Sequence, residues 1–242
     1  MKKLLVIGVH TDDCEYGIGG TAKLLADRGW EVEFFNLCPY KFSPNPEPDL
    51  VRSREAAKIL GATKIAEVPK SKDWWYNTPE HSKYVETEIL RFKPDMIFMQ
   101  WFEDNHIEHV ESAKATMNAI FGASVKGARP EEIYAYEVGP MQTMPYFQPD
   151  IYINITDVKA NIEQALDHFG LPDGKTLIKE KEICSRYRGW ASRRPTFEYA
   201  EALKIIRFPR AQNDFMLRQA LDDHFSWCSP GKYCYGQKYL FE

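Results

Sequence analysis

Long apolar runs are missing from this sequence of 242 residues, and cysteine is scarce, with five residues. No run approaches the roughly 18 apolar residues of a transmembrane helix, so no membrane span is predicted. The odd number of cysteines and the lack of a Cys-x-x-Cys pair favour reduced thiols in a cytoplasmic protein over a disulfide framework. Positive charge is not in excess either, and the formal net charge of −4 argues against a nucleic-acid partner.

What the sequence does contain is an alternation of apolar, strand-like runs with helical patterns. Hydrophobic residues make up 44% of the chain, enough for a sizeable core. The alternation implies βαβ units, hence an α/β fold with a mainly parallel sheet, and a single domain is the simplest interpretation. Strands are predicted at 4–10, 31–37, 64–68, 94–100, 133–138 and 151–155. Helices are predicted through 22–26 and at about 49–60, 79–92, 108–121, 157–169, 176–190 and 198–206.

Two polar clusters follow predicted strands. His10-Thr11-Asp12-Asp13 comes directly after the apolar run 4–9, and Asp104-Asn105-His106-Ile107-Glu108-His109 follows strand 94–100. Carboxyl ends of parallel strands meet at one edge of a sheet, where open α/β proteins bind their ligands. We therefore expect the two clusters to lie close together.

The residue types in these clusters are those of a metal site. Zinc hydrolases commonly use three nitrogen or oxygen ligands and leave one position for water. His10, His109 and one of the two aspartates supply such a set, and the other aspartate is then available as a general base. His106, one helical turn from His109, is placed to stabilise an oxyanion. The alternative is structural, since Asp12 or Asp13 can simply cap the helix that follows.

The motifs resemble those of one enzyme family. Residues 10–21, His-Thr-Asp-Asp-Cys-Glu-Tyr-Gly-Ile-Gly-Gly-Thr, resemble the HPDD-x-E-x-G-x-GGT signature of the LmbE-like, or PIG-L-like, N-deacetylases. Residues 104–109 resemble the D-x-HPDH segment of that family. Weaker similarities in the same order cover 52–61, 149–157 and 199–203. Together these motifs extend the resemblance over much of the chain.

The resemblance implies a Rossmann-like three-layer α/β/α fold, a single LmbE-like deacetylase domain over 1–242 and homo-oligomers. It implies removal of the N-acetyl group from an N-acetylglucosamine-type sugar or glycoconjugate by zinc-bound water. Fe²⁺ or another divalent ion is compatible with the same ligands, because a His₂Asp set is not selective. The residues implied are His10, Asp13 and His109 as metal ligands, Asp12 as general base, His106 in transition-state stabilisation and Arg52 in substrate contact.

The chain departs from the family pattern at several positions beside the proposed ligands. Thr11 replaces the usual proline, Cys14 replaces an acidic residue, and Ile107-Glu108 replaces Pro-Asp. Glu108 retains a carboxylate that can orient a ligand histidine. Cys14 is either a thiol near the metal or a small buried side chain. None of these changes removes a proposed ligand or base.

Three other segments have competing interpretations. Gly17-Ile18-Gly19-Gly20 follows the first strand as a dinucleotide loop does, but lacks the G-x-G-x-x-G spacing. Close packing of helix on strand is favoured there, and a nucleotide- or sugar-nucleotide-binding protein without hydrolase activity is the alternative function. Trp74-Trp75-Tyr76 suits a lid or an oligomer contact. The basic stretch from Arg186 to Arg194 suits a solvated helix face or an anionic substrate group.

Overall fold

The computed structural model describes residues 1–38, 46–66, 77–139, 147–169, 173–207 and 215–228. Through the strand at Glu132–Tyr136, β-strands and α-helices alternate as predicted. The strands are Lys3–Gly8 (β1), Glu31–Asn36 (β2), Ala62–Ile65 (β3), Met96–Gln100 (β4), Glu132–Tyr136 (β5), Ile151–Asn154 (β6), Ala200–Arg207 (β7) and Phe225–Trp227 (β8). The helices are Asp13–Asp27 (α1), Pro46–Ile59 (α2), Pro79–Phe92 (α3), Ile107–Val125 (α4), Lys159–Asp167 (α5), Asp173–Ala191 (α6) and Met216–Ala220 (α7), with a 3₁₀ turn at Thr156–Val158.

The strands form one mixed sheet in the order β3-β2-β1-β4-β5-β7-β6-β8. The first five are parallel to one another, whereas β7 runs antiparallel between β5 and β6, and β8 pairs antiparallel with β6. From β1 the chain adds β2 and β3 on one side, and it then returns to add β4 and β5 on the other side of β1. Strands β1 and β4 are hydrogen-bonded neighbours, with Leu5 opposite Ile97. Their carboxyl ends therefore form the switch point at which such sheets bind ligands.

Both faces of the sheet are covered, which makes the fold a three-layer α/β/α arrangement. Alternate residues of β1 enter different cores, since Leu4 and Val6 pack on one face and Leu5 and Ile7 on the other. Side chains of α1, α2 and α5 complete the first core. Side chains of α3 and α4 complete the second. Strands covered on both sides are nearly continuous apolar runs, which explains the pattern seen in the sequence.

Glycines in α1 allow this helix to lie directly against the sheet. A Cβ atom on Gly17 would stand 2.4 Å from the ring of Tyr136, and one on Gly20 would stand 2.7 Å from Ile155. The helix also has a non-helical residue at Ile18, and the amides of Gly20 and Thr21 donate to the carboxylate of Glu201 at 2.9 and 2.7 Å. The glycine-rich segment therefore serves close packing.

The structure corrects several predicted elements, among them α1, which begins at Asp13 rather than near residue 22. The predicted helix at 198–206 is strand β7, because this segment fills the slot between β5 and β6 and pairs with both. The helix preference of Ala-Glu-Ala-Leu is overridden there by the need to satisfy the backbone groups of both neighbouring strands. Helix α2 begins at Pro46 rather than near residue 49. Proline is compatible with a first helical turn, where its missing N–H has no intrahelical acceptor.

None of the helices in the described ranges combines the length and the apolar composition that a transmembrane helix requires.

Candidate metal centre and cleft

The His10–Asp13 turn joins the end of β1 to the start of α1. Asp13 is almost fully buried, and its Oδ2 atom accepts three hydrogen bonds, from the amides of Val9 and His10 at 2.8 Å and from Gln100 Nε2 at 2.7 Å. Burial alone would raise the pKa of Asp13, but the charges of His109 and His10 and these hydrogen bonds hold it well below its usual range. Asp13 is therefore a fixed carboxylate, and it is not a helix cap.

The two proposed ligand histidines are each oriented by a carboxylate. His109, in the first turn of α4, has its Nδ1 atom 2.7 Å from Asp104 Oδ2. His10 has its Nε2 atom 3.1 Å from Glu108 Oε2. A carboxylate on one ring nitrogen fixes the proton there, so that the other nitrogen presents its lone pair. In both rings the second nitrogen points toward the other histidine and Asp13.

The three groups converge at distances that suit a metal ion. His10 Nδ1 lies 3.3 Å from His109 Nε2, and Asp13 lies 3.6 Å from each of these nitrogens. Ligands at about 2.0–2.1 Å from a tetrahedral zinc ion would be about 3.3 Å apart. Burial lowers the pKa of His10. The charge of Asp13 and the hydrogen bonds with Asp13 and Glu108 outweigh this effect and raise the pKa to about 10. The centre therefore attracts positive charge, and the donor set fits a divalent cation.

His106 stands beside this centre and caps α4. Its Nδ1 atom accepts the amide of Glu108 at 3.3 Å, which leaves the ring proton on Nε2 in the neutral form. Its ring stacks on that of His109, with 4.6 Å between centroids. Burial and the charges of His109 and His10 lower the pKa of His106. A neutral imidazole that donates through Nε2 is suited to hydrogen-bonding a developing oxyanion.

His106 also enters a second possible ligand set. Donor atoms of His10, His106 and His109 all lie within 4.8 Å of one another. Three imidazoles are a known zinc ligand set. The distances around Asp13 are shorter than this upper limit, and its Oδ1 atom faces His109. Both Asp13 and His106 are therefore candidates for the third ligand.

Asp12 occupies the N-cap position of α1, but its side chain makes no capping hydrogen bond. The alternative prediction, that the side chain of Asp12 simply caps this helix, is therefore wrong. The carboxyl group lines the cleft beside the histidines instead. Burial, together with the neighbouring charge of Asp13, raises the pKa of Asp12. A carboxylate with a raised pKa is a stronger base and can also return a proton.

These residues line one cleft of about 530 Å³, a size typical of small-molecule sites. The described residues that line it are His10, Asp12, Asp13, Tyr16, His106, His109, Val138, Gly139, Leu177 and Glu180. All predicted site residues except Arg52 are therefore brought together. The contribution of α6, through Leu177 and Glu180, was not predicted, because no local motif marks it.

Arg52 lies elsewhere among the described residues. Its side chain is exposed on α2 and pairs with Asp49 one turn earlier. Its predicted contact with substrate stays a prediction. Cys14 is fully buried, with its Sγ atom 3.8 Å from the carbonyl of Val6, and burial raises the pKa of the thiol well above its usual value. Cys14 is thus a small core side chain.

The basic stretch from Arg186 to Arg194 is not a uniformly solvated face. Arg188 is buried and donates two hydrogen bonds to Glu137 at 2.5 and 2.6 Å. Arg186 contacts Glu182 and the hydroxyl of Tyr199. The interpretation of this stretch as a solvated helix face is therefore wrong for Arg188, which is buried in this ion pair. Trp74-Trp75-Tyr76 lies outside the described residues.

The fold and the site together define an α/β protein with a candidate metal centre at its topological switch point. Residues 5–120 match the model of the PIG-L family, described as GlcNAc-PI de-N-acetylase, and the resemblance to this LmbE-like, or PIG-L-like, family is thereby confirmed. A curated relative is the diacetylchitobiose deacetylase of Thermococcus kodakarensis, 25% identical over 174 residues. That alignment covers 65% of this chain and 65% of the relative, slightly less than two thirds of its length.

Solved structures share the fold at low sequence identity. The hydratase GalB of Pseudomonas putida KT2440, which acts on 4-carboxy-2-hydroxymuconate, superposes with a TM-score of 0.71 at 21% identity over 87% of this chain and 98% of its own. The N,N'-diacetylchitobiose deacetylase of Pyrococcus horikoshii superposes with a TM-score of 0.65 at 18% identity over 85% and 84%. The fold therefore accommodates at least two kinds of chemistry, and the function has to be inferred from the residues of the site.

Proposed function

We propose that this protein is a metal-dependent hydrolase that removes the N-acetyl group from an N-acetylglucosamine-type sugar or glycoconjugate. The observation that carries this proposal is the convergence of His10, Asp13 and His109, two of them oriented by carboxylates, beside Asp12 and His106. The family match and the deacetylase relatives support the choice of an acetamido substrate.

In this proposal, His10, Asp13 and His109 hold a divalent ion, zinc being the expected one. The ion would supply Lewis acidity and a water molecule of lowered pKa. Asp12 accepts a proton from the attacking water, for which its raised pKa and its place in the cleft suit it. His106 donates its Nε2 proton in a hydrogen bond to the oxyanion.

The remaining step is cleavage of the amide bond. Asp12, once protonated, returns its proton to the leaving nitrogen, so that the carbon–nitrogen bond breaks to give acetate and a free amine. One water molecule is consumed and no redox partner is needed. The cleft of about 530 Å³ has room for a sugar ring with its acetamido group.

A nucleotide-binding protein without hydrolase activity is disfavoured by the glycine-rich segment. The amides of Gly20 and Thr21 already donate to Glu201 and are not directed at a phosphate. Gly17 is packed against Tyr136. Phosphate-binding loops instead direct their amides into the ligand site. We also propose that residues 1–242 form one domain, since all described strands belong to one sheet.

The decisive experiment measures acetate release from N-acetylglucosamine, diacetylchitobiose and N-acetylglucosaminyl glycosides. Zinc-loaded protein is compared with protein stripped by a chelator and with stripped protein after zinc is restored. We expect acetate and free amine in equal amounts, loss of both after stripping and recovery with zinc. Release that persists without metal would contradict the metal-dependent mechanism, and no release from any acetamido sugar would contradict the deacetylase proposal.

A further inference from the structure

Helix α6 contributes two residues to the cleft, Leu177 and Glu180. They lie three positions apart and therefore share one face of the helix. Both are half-buried. Neither has a part in the hydrolysis described above.

Two buried ion pairs of α6 fix the position of the helix. Lys181 Nζ lies 2.7 Å from Glu201 Oε1, and Arg188 Nη2 lies 2.5 Å from Glu137 Oε2. These contacts join α6 to β7 and to the segment after β5. Because the helix is anchored through Lys181, the neighbouring residue Glu180 is placed at the cleft wall.

Glu180 makes no hydrogen bond or ion pair with another residue in the described part of the chain. Two positions later, Glu182 points elsewhere and pairs with Arg186. A half-buried carboxylate that lacks a partner loses hydration without compensation. A ligand that donates hydrogen bonds would supply that compensation.

The charges of the cleft wall define what such a ligand is. Among the described residues that line the cleft, the acidic ones are Asp12, Asp13 and Glu180, and none is lysine or arginine. The two negative charges of Asp12 and Asp13 would offset the charge of a divalent ion bound at the histidines. The wall formed by Glu180 thus accepts hydroxyl or ammonium donors and repels a carboxylate or a phosphate.

We infer that Glu180 is a specificity-determining residue, which accepts hydrogen bonds from the hydroxyls of an uncharged acetamido sugar and disfavours substrates with an anionic group at that wall. This inference rests on the proposed deacetylase function and names its substrate class. It also separates this cleft from one suited to a carboxymuconate, whose carboxylates Glu180 would repel.

The test compares N-acetylglucosamine with N-acetylglucosamine 6-phosphate, which differ by one anionic group. The variants are Glu180→Gln, Glu180→Lys and the matched control Glu182→Lys, which makes the same charge change outside the cleft. Zinc-loaded proteins are assayed for kcat/KM by acetate release and for Kd by calorimetry. We expect Glu180→Lys to raise the preference for the phosphate over the uncharged sugar at least about tenfold. Glu180→Gln should weaken binding of the uncharged sugar by about three- to tenfold.

The control should leave the ratio between the two sugars within about twofold of wild type. Equal ratios in Glu180→Lys and Glu182→Lys would overturn the inference while leaving the deacetylase proposal intact. If the wild-type protein releases no acetate, the proposed function fails, and the Kd ratios decide the inference separately. Failure of wild-type protein to bind the uncharged sugar would also overturn it.

Discussion

The Nδ1 atom of His10 lies 3.3 Å from the Nε2 atom of His109, although 99 positions separate the two residues in the chain. The parallel pairing of β1 with β4 produces this proximity, because each histidine follows the carboxyl end of one of these strands. Glu108 binds His10 across the same gap. The two polar clusters therefore form a single centre, in which Glu108 of the second cluster orients His10 of the first.

The first prediction separates the two possible ligand sets. Replacing His10, Asp13 or His109 with alanine should weaken zinc binding by more than the about 10–100-fold that loss of an orienting residue costs. His106→Ala should keep one zinc per chain but lose turnover, because its Nε2 proton is assigned to the oxyanion. Zinc content after dialysis and competition with a chromogenic chelator measure both effects. Loss of zinc in His106→Ala with retention in Asp13→Ala would establish the three-histidine set instead.

The second prediction concerns Asp12, whose carboxyl group lines the cleft without capping α1. Asp12→Asn keeps the size of the side chain but cannot accept a proton from water. We expect kcat to fall by about 10²–10⁴-fold. Zinc content and the melting temperature serve as controls, and both should stay close to those of wild type. An Asp12→Asn protein with unchanged kcat would show that another group acts as the base.

Much of this site follows from the sequence because it depends on local patterns. A buried strand followed by polar residues marks a ligand-binding edge, and two such edges in a parallel sheet meet at its switch point. The proximity of His10, Asp12, Asp13, His106 and His109 could therefore be predicted. That Glu108 orients His10 could not be predicted from the sequence, because this contact depends on how β1 and α4 are packed.

Features that arise from distant packing were missed for a physical reason. Glu180 reaches the cleft because Lys181 and Arg188 anchor α6 to other elements, and no spacing in the sequence encodes those pairs. The segment that forms β7 has strong helix formers, yet its neighbours on both sides require a strand. Arg52 matches a family position, but its side chain pairs with Asp49 on its own helix.

The third prediction concerns the ion pair of Lys64 and Glu15, which lies beneath the His10–Asp13 turn. Lys64 Nζ is 2.6 Å from Glu15 Oε1 and also donates to the carbonyl of Thr11 and to Ser53 Oγ, and neither charged side chain is exposed. Lys64→Met leaves a buried carboxylate unpaired and should lower the free energy of unfolding by about 3–5 kcal/mol. Unfolding in urea measures the loss, with Lys58→Met on the exposed side of α2 as control.

The companion variant Glu15→Gln tests whether the loss comes from the uncompensated charge. The double variant Lys64→Met/Glu15→Gln should be more stable than the sum of the single losses predicts, by about 0.5–3 kcal/mol. If the two losses simply add, the pair contributes no coupling. The network would then hold Thr11 through hydrogen bonds alone.

The last prediction concerns Glu33, a buried residue of β2 that does not line the cleft. Burial, followed by a hydrogen bond with Glu88, raises the pKa of Glu33 from 4.5 to about 7, although Arg91 opposes the shift. The folded protein therefore holds a proton that the unfolded chain has released between these two pH values. The stability linked to this proton is complete below about pH 4.5 and is lost as the pH rises through 7.

Glu33→Gln removes this titration, since an amide stays neutral. We expect the free energy of unfolding of the variant to improve relative to wild type as the pH rises from 5 to 8. Urea unfolding at both pH values measures the difference, in which the titration of groups that do not contact residue 33 cancels. Glu31→Gln, on the same strand but partly exposed, is the matched control for loss of one carboxylate. A difference between Glu33→Gln and wild type that is the same at pH 5 and pH 8 would contradict the raised pKa, because a carboxyl group ionised throughout this range contributes no pH dependence.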